Sequence, residues 1–316
     1  MTNASSFTDV LRGWLRDNPS GSLRDGSDAL TKAYRAGGTS ANAAMAAYVA
    51  TRAPATYASV SRALQEVVRG HPAVAPRTML DVGAGAGSAT WAALAQCPEI
   101  ATVTLLDNNP SFLALAEALL AGRGTIAANY IAANIKSAAF PAADFTVMAY
   151  VLAECAETEC AQLAARLWAA TGDTMLIVEP GTPAGFARIR RVREALLKVE
   201  AHIIAPCTHA QACPIMGEDW CHFSVRLARS RDHMHAKQAS VPFEDEPFSY
   251  LAVSRTPAKH VVGRIVRPPV RTKSDTTIHL CTHGSMQKVA IPKRNAPVFK
   301  RTSKLAWGDV FAEEVS

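Results

Sequence analysis

The stretch Asp81-Val82-Gly83-Ala84-Gly85-Ala86-Gly87 decides the fold of this 316-residue chain. Met79-Leu80 before it opens a short apolar strand, and Ser88 to Gln96 after it reads as a helix. Glycine at every second position permits a tight strand-to-helix turn and lets a ligand approach the backbone closely. A second strand, Val103 to Asp107, ends in an acid about twenty residues further on, where a carboxylate can accept hydrogen bonds from both ribose hydroxyls. The spacing suits a nucleotide-type cofactor, NAD or S-adenosylmethionine. The dinucleotide pattern Gly-x-Gly-x-x-Gly is not matched, because position 88 is Ser.

Outward from this loop, strands and helices alternate. A helix is expected over Ser111 to Ala121, a strand over Asp144 to Tyr150 and a helix over Cys160 to Ala170. A strand at Thr174 to Glu179, a helix at Phe186 to Val199 and a late strand at Ser249 to Val253 follow. Such alternation implies an α/β fold with a parallel, doubly wound sheet. Upstream, the Ala-rich chain reads as several short helices with a break at Ala53-Pro54. Downstream, His260 to Val266, Thr276 to Cys281 and Lys288 to Ile291 read as strands of a small β element. The expected division is an N-terminal helical cap (1–75), a Rossmann-like domain (76–256) with an inserted cysteine loop (205–223), and a basic β element with a tail (257–316).

A hydrophobic share of 49% and a charged share of 19% fit a globular protein, and no apolar run is long enough for a membrane span. The N-terminus lacks a signal or transit pattern. A cytoplasmic, bacterial location is therefore expected, with the mitochondrial matrix as the lesser alternative. The net charge of +6 is unevenly spread. Between Lys259 and Lys304 stand eleven Lys/Arg against the single acid Asp275, a local balance of +10 that leaves −4 elsewhere. A basic segment on a near-neutral body points to a polyanion, and nucleic acid is the expected partner.

Seven cysteines in a chain without a secretion signal read as metal ligands more readily than as disulfides. Cys207, Cys213 and Cys221 are grouped, and Cys281 follows in the basic segment. Four thiolates can hold Zn²⁺ tetrahedrally or a [4Fe–4S] cluster, and the spacing does not choose between them. His209, His222 and His283 lie beside these cysteines and could replace one. Cys155 and Cys160 read as buried thiols.

The Asp81-to-Gly87 loop resembles motif I of class I methyltransferases, which implies an S-adenosylmethionine site at Asp81, Gly83, Gly85, Gly87 and Asp107. Asn134 falls where such folds often set a polar residue against the adenine amine. Other stretches resemble the methyltransferase-like assembly proteins of the small ribosomal subunit, a family with mitochondrial and bacterial members. They include Arg52-Ala53-Pro54-Ala55-Thr56-Tyr57, Val178-Glu179-Pro180-Gly181-Thr182-Pro183-Ala184-Gly185-Phe186, Ala205-Pro206-Cys207-Thr208-His209, Trp220-Cys221-His222-Phe223 and Trp307-Gly308-Asp309. The resemblance implies a Rossmann-like class I methyltransferase fold and a small β element braced by a [4Fe–4S] cluster on Cys207, Cys213, Cys221 and Cys281. It also implies binding to small-subunit rRNA in an assembly intermediate, as a protein monomeric off the ribosome. Val151-Leu152-Ala153-Glu154 departs from the family's Ala-Leu-Ser-Glu-Leu form, so no catalytic residue is assigned. An active rRNA methyltransferase and a zinc-containing RNA-binding protein without catalysis are the alternative functions. A radical S-adenosylmethionine enzyme is disfavoured, because Cys-x3-Cys-x2-Cys is absent.

Overall fold

A computed structural model describes residues 6–19, 22–35, 45–123, 126–259 and 261–311. Three helices lead: α1 (Phe7–Asp17), α2 (Leu23–Arg35) and α3 (Met45–Gly70). The expected break at Ala53-Pro54 is absent, because α3 runs unbroken for 26 residues with Pro54 inside it. Pro54 cannot donate to the Ala50 carbonyl. That loss is offset by burial along the whole helix, from Ala46 to Gly70.

The alternating region then runs β1 (Thr78–Val82), α4 (Ser88–Gln96), β2 (Thr102–Asp107), α5 (Pro110–Leu120), β3 (Ala127–Ala132) and β4 (Ala143–Ala149). It continues with α6 (Glu157–Ala170), β5 (Thr171–Pro180), α7 (Pro183–Leu197), β6 (His202–Ala205), β7 (Phe223–Ala228), α8 (Arg231–Lys237) and β8 (Phe243–Ser254). These strands form one sheet in the order β3-β2-β1-β4-β5-β8-β6, with β7 also paired to β8. β1 to β5 are mutually parallel where they pair, and β8 is antiparallel to β5, β6 and β7. The parallel part of this sheet, β3-β2-β1-β4-β5, is a Rossmann-like, doubly wound arrangement. The strand order reverses between β1 and β4, and ligands bind such sheets at that switch point, beyond the carboxyl ends of the strands.

Side chains alternate between two cores, as strand geometry requires. Met79, Val103, Leu105, Phe145 and Val147 pack towards α3, α4 and α5. Leu80, Val82, Leu106 and Met148 pack towards α6 and α7.

The chain ends in a second sheet: β9 (Gly263–Ile265), β10 (Val270–Arg271), β11 (Asp275–Thr282), β12 (Ser285–Pro292) and, after helix α9 (Ala296–Thr302), β13 (Val310–Phe311). His260, expected to begin a strand here, lies outside the described residues. The core of this sheet is small, built on Ile265, Ile278, Leu280, Ile291 and Phe311. A core of that size holds little stability alone, so the tie to the large sheet matters.

Arg264 of β9 makes that tie. Its side chain is 2% exposed. Nη1 donates to Glu66 Oε2 of α3 at 2.6 Å and to the Gly308 carbonyl at 2.7 Å, and Nε donates to the Pro206 carbonyl at 2.5 Å. Glu66, also 2% exposed, receives Arg62 at 2.5 Å and Arg69 at 2.8 Å on its other oxygen. Burial alone would raise the Glu66 pKa, but Arg264 and Arg62 hold its carboxyl below the ordinary value. One residue of the basic segment is therefore an internal brace between helix, cysteine loop and second sheet.

Truncating one member of a buried pair leaves the other charge uncompensated. Arg264→Ala should cost about 3–5 kcal/mol of unfolding free energy in denaturant titration. A loss below about 1 kcal/mol, the surface-pair range, would contradict this role.

Candidate functional site

The cleft lies at the β1/β4 switch point, and Gly83, Gly85, Asp107 and the turn after β4 form one of its walls. The glycines divide in purpose. Gly83 has φ +67°, and a Cβ there would sit 2.3 Å from Val151 Cγ2. Gly85 has φ +52°, and its Cβ would meet the Tyr48 hydroxyl at 3.0 Å. Both keep the cleft floor flat to the backbone. Gly87, expected beside them, instead faces Leu105 and Ala116 in the core and caps α4 with a left-handed backbone.

Asp107 closes the loop: Oδ2 accepts from Gly85 N at 2.8 Å and Oδ1 from Asn109 N at 2.8 Å. Each carboxylate oxygen carries a further lone pair, so ribose hydroxyls can still be accepted. Burial raises the Asp107 carboxyl above its ordinary value. Asp81 is more deeply set. Its Oδ2 accepts from Thr90 N at 3.1 Å and from the Thr90 hydroxyl at 2.7 Å, and burial pushes its pKa up to about 7. It therefore anchors α4 under the loop.

The structure sets Asn134 apart from the others. Its side chain is exposed, and Oδ1 accepts from Lys136 N at 2.9 Å in a local turn. Its neighbour Ile135 reaches the cleft wall instead.

The turn after β4 carries Tyr150 at φ +62°, an outlier for a bulky residue. Its Oη lies 3.0 Å from Ser59 Oγ and 3.2 Å from Glu246 Oε1. Burial, reinforced by the Glu246 carboxylate, raises the phenol pKa, so it remains a neutral alcohol. Below the turn, buried Glu179 accepts from Leu152 N at 2.9 Å and faces Arg188 at 3.6 Å. Burial pushes Glu179 up to about 7. It buttresses the segment that presents Val151 and Glu154 to the cleft.

Sequence reading missed the opposite wall. Tyr48, Arg52 and Thr56 of α3 line the cleft, as does Lys237 of α8. Their spacing of four is the signal of one helical face. Reading Pro54 as a break divides that face.

The four grouped cysteines come together. Cys207, Cys213, Cys221 and Cys281 all line one apolar cavity between the cysteine loop, α7 and the second sheet. Arg193 of α7 pins the loop by donating to the His209 carbonyl at 2.8 Å and the Gln211 carbonyl at 2.7 Å. Burial first, then the neighbouring Cys207 and Cys213 thiols, pushes Cys281 up to about 12. His209 Nε2 lies 3.6 Å from Cys281 Sγ. His222 is instead stacked on Trp220, and His283 is exposed. Among the described residues no three His, Cys, Asp or Glu side chains are set as a ready metal cage. The donor chemistry nevertheless fits a soft metal, with four thiols and no carboxylate around the cavity. Cys155 and Cys160 are buried elsewhere.

A family model described as the mitochondrial small ribosomal subunit Rsm22 matches residues 42–312. The human ribosome assembly protein METTL17, mitochondrial, is 28% identical over 284 residues, covering 83% of this chain and 61% of its own length. The mitochondrial Rsm22-cox11 tandem protein 2 of Schizosaccharomyces pombe is 25% identical over 201 residues, covering 47% of this chain and 26% of its own. The chain thus spans 61% of the human relative and 26% of the yeast one. Among solved structures, magnesium protoporphyrin IX methyltransferase from Synechocystis with bound SAH has a TM-score of 0.45 at 11% identity, over 74% of this chain and 98% of that one. N-methyltransferase NodS from Bradyrhizobium japonicum has a TM-score of 0.39 at 15% identity, over 62% of this chain and 94% of that one. The named relatives are mitochondrial, which points to the mitochondrion and overturns the expected bacterial cytoplasm.

Proposed function

The chain belongs to the mitochondrial small ribosomal subunit Rsm22 family, and from that premise we propose that it is a small-subunit assembly factor. It would hold S-adenosylmethionine in the switch-point cleft and contact ribosomal RNA through the second sheet. The observation that carries this reading is the family match over residues 42–312, which takes in both sheets. The printed name of the human relative, a ribosome assembly protein, supports it. Residues 1–75 then act as a helical cap, 76–256 as the cofactor domain, and 257–316 as the RNA-facing element of a protein monomeric off the ribosome.

Charge distribution supports the RNA contact. Of the eleven basic residues, Arg264 is buried and Arg267 half-buried against Asp219, which leaves nine exposed. The Tyr150 phenol is engaged and held neutral, which gives it no role as a base. No methyl-transfer step is assigned to this chain, and binding is the function proposed.

We also propose Cys207, Cys213, Cys221 and Cys281 as the ligands of a metal group, [4Fe–4S] in preference to zinc. Bound there, such a group would supply a structural cross-link and, if iron–sulfur, a one-electron redox couple. The chain's own part is to deliver the thiols on a loop pinned by Arg193 and on β11.

Two measurements test these readings. Neutralising phosphates releases counterions, so affinity for a small-subunit rRNA fragment should fall about a thousandfold or more between about 50 and 200 mM salt. An affinity unchanged over that range sinks the RNA contact. Anaerobically purified protein should contain iron and absorb in the visible, and Cys281→Ser should bleach it. Colourless protein with one bound zinc would replace the iron, and protein without either metal would remove the site.

A further inference from the structure

Helix α7 carries Arg188, Arg190, Arg191 and Arg193 close together, and the first three each face a carboxylate. Arg188 faces Glu179 at 3.6 Å, Arg190 faces Glu194 at 3.9 Å and Arg191 meets Glu157 at 2.6 Å. Arg193 is the exception. It is 4% exposed, and no carboxylate among the described residues forms an ion pair with it. Its Nη2 serves the His209 and Gln211 carbonyls, and its Nε has no hydrogen-bond partner among the described residues. Carbonyls are dipoles without net charge, so they satisfy donors and leave the cation unbalanced. A buried cation is costly unless an anion compensates it.

That charge stands on the wall of the apolar cavity where the four cysteines converge. No carboxylate lines this cavity. Arg264 is a second cation close by, and its own counter-charge is Glu66. The Tyr250 phenol on the cavity wall is raised by burial and stays neutral. The cysteines are the groups left that can supply an anion. A thiol is neutral, whereas a metal-bound thiolate is charged. Four thiolates outweigh a divalent zinc ion, so the assembled group is anionic.

We infer that Arg193 is the built-in counter-cation of an anionic metal–thiolate group on Cys207, Cys213, Cys221 and Cys281, and that its charge, rather than its grip on the loop, sets how tightly the metal is held. The inference rests on the reading of these cysteines as a metal site. It adds that the site is charge-matched from α7, so that a neutral occupant, such as a pair of disulfides, leaves Arg193 unbalanced.

The full chain, loaded with zinc and titrated with a competing chelator, tests this. Zinc is the probe because it takes four thiolates and has no redox step. Arg193→Lys keeps the charge, whereas Arg193→Gln keeps a donor for the loop carbonyls without it. Arg193→Lys should hold zinc with close to wild-type affinity. Arg193→Gln should hold it about tenfold to a hundredfold more weakly, the range of one charge-assisted pairing. Arg193→Lys holding zinc no better than Arg193→Gln overturns the inference, whether both match wild type or both fall, and leaves the metal reading standing. Arg190→Glu serves if Arg193→Gln does not fold, because Arg190 lines the same cavity with its side chain 44% exposed. That reversed charge should weaken zinc binding several-fold, and an unchanged affinity overturns the inference as well. A wild-type chain that takes up no zinc overturns the metal reading and the counter-cation together.

Discussion

The buried ion pair between Glu66 and Arg264 is the contact on which the arrangement of this molecule depends. It joins α3 to β9, and the further hydrogen bonds of Arg264 reach the Pro206 carbonyl beside Cys207 and the Gly308 carbonyl near the chain's end. A buried arginine is tolerated only when its charge is paired and its donors are used. Here one side chain satisfies itself on three separate segments, so those segments cannot drift apart without stranding a charge. A metal on the four cysteines would add a second cross-link at the same junction. It would strengthen an attachment that protein groups already make.

α3 is the common element. Near its C-terminal end Glu66 receives three arginines, and nearer its start Tyr48, Arg52 and Thr56 wall the cleft. A helix continuous over 26 residues carries both features on one rigid body. The lost hydrogen bond at Pro54 is the local cost of that continuity, and burial of the helix against α4 and the sheet outweighs it. The switch-point cleft and the basic sheet are distinct surfaces fastened to one rod.

Much of the central domain was legible in advance, because parallel strands buried on both faces leave continuous apolar runs. The helix at Ser88–Gln96 and the strands ending at Val82 and Asp107 fall where the pattern puts them. The glycine loop was legible through backbone chemistry, although Gly87 serves packing. The edge strand Ala127–Ala132 was missed because most of its side chains are exposed and its two large ones, Tyr130 and Ile131, are adjacent, which leaves no apolar alternation to detect. α8 was missed as a seven-residue polar helix whose folding depends on contacts with α2 and α3. Arg264 was counted among surface cations because a long-range partner such as Glu66 leaves no local trace. Asn134 met the expected spacing, yet its side chain is turned to a local backbone bond.

The central claim is that an S-adenosyl ligand lies between the glycine loop and α3. Hydrogen–deuterium exchange of the full chain with and without saturating S-adenosylhomocysteine tests it most directly. Slower exchange is predicted at residues 83–87, 107–109 and 150–154 together with 48–56 of α3. Unchanged exchange in all of these segments, or protection confined to the second sheet, would contradict it.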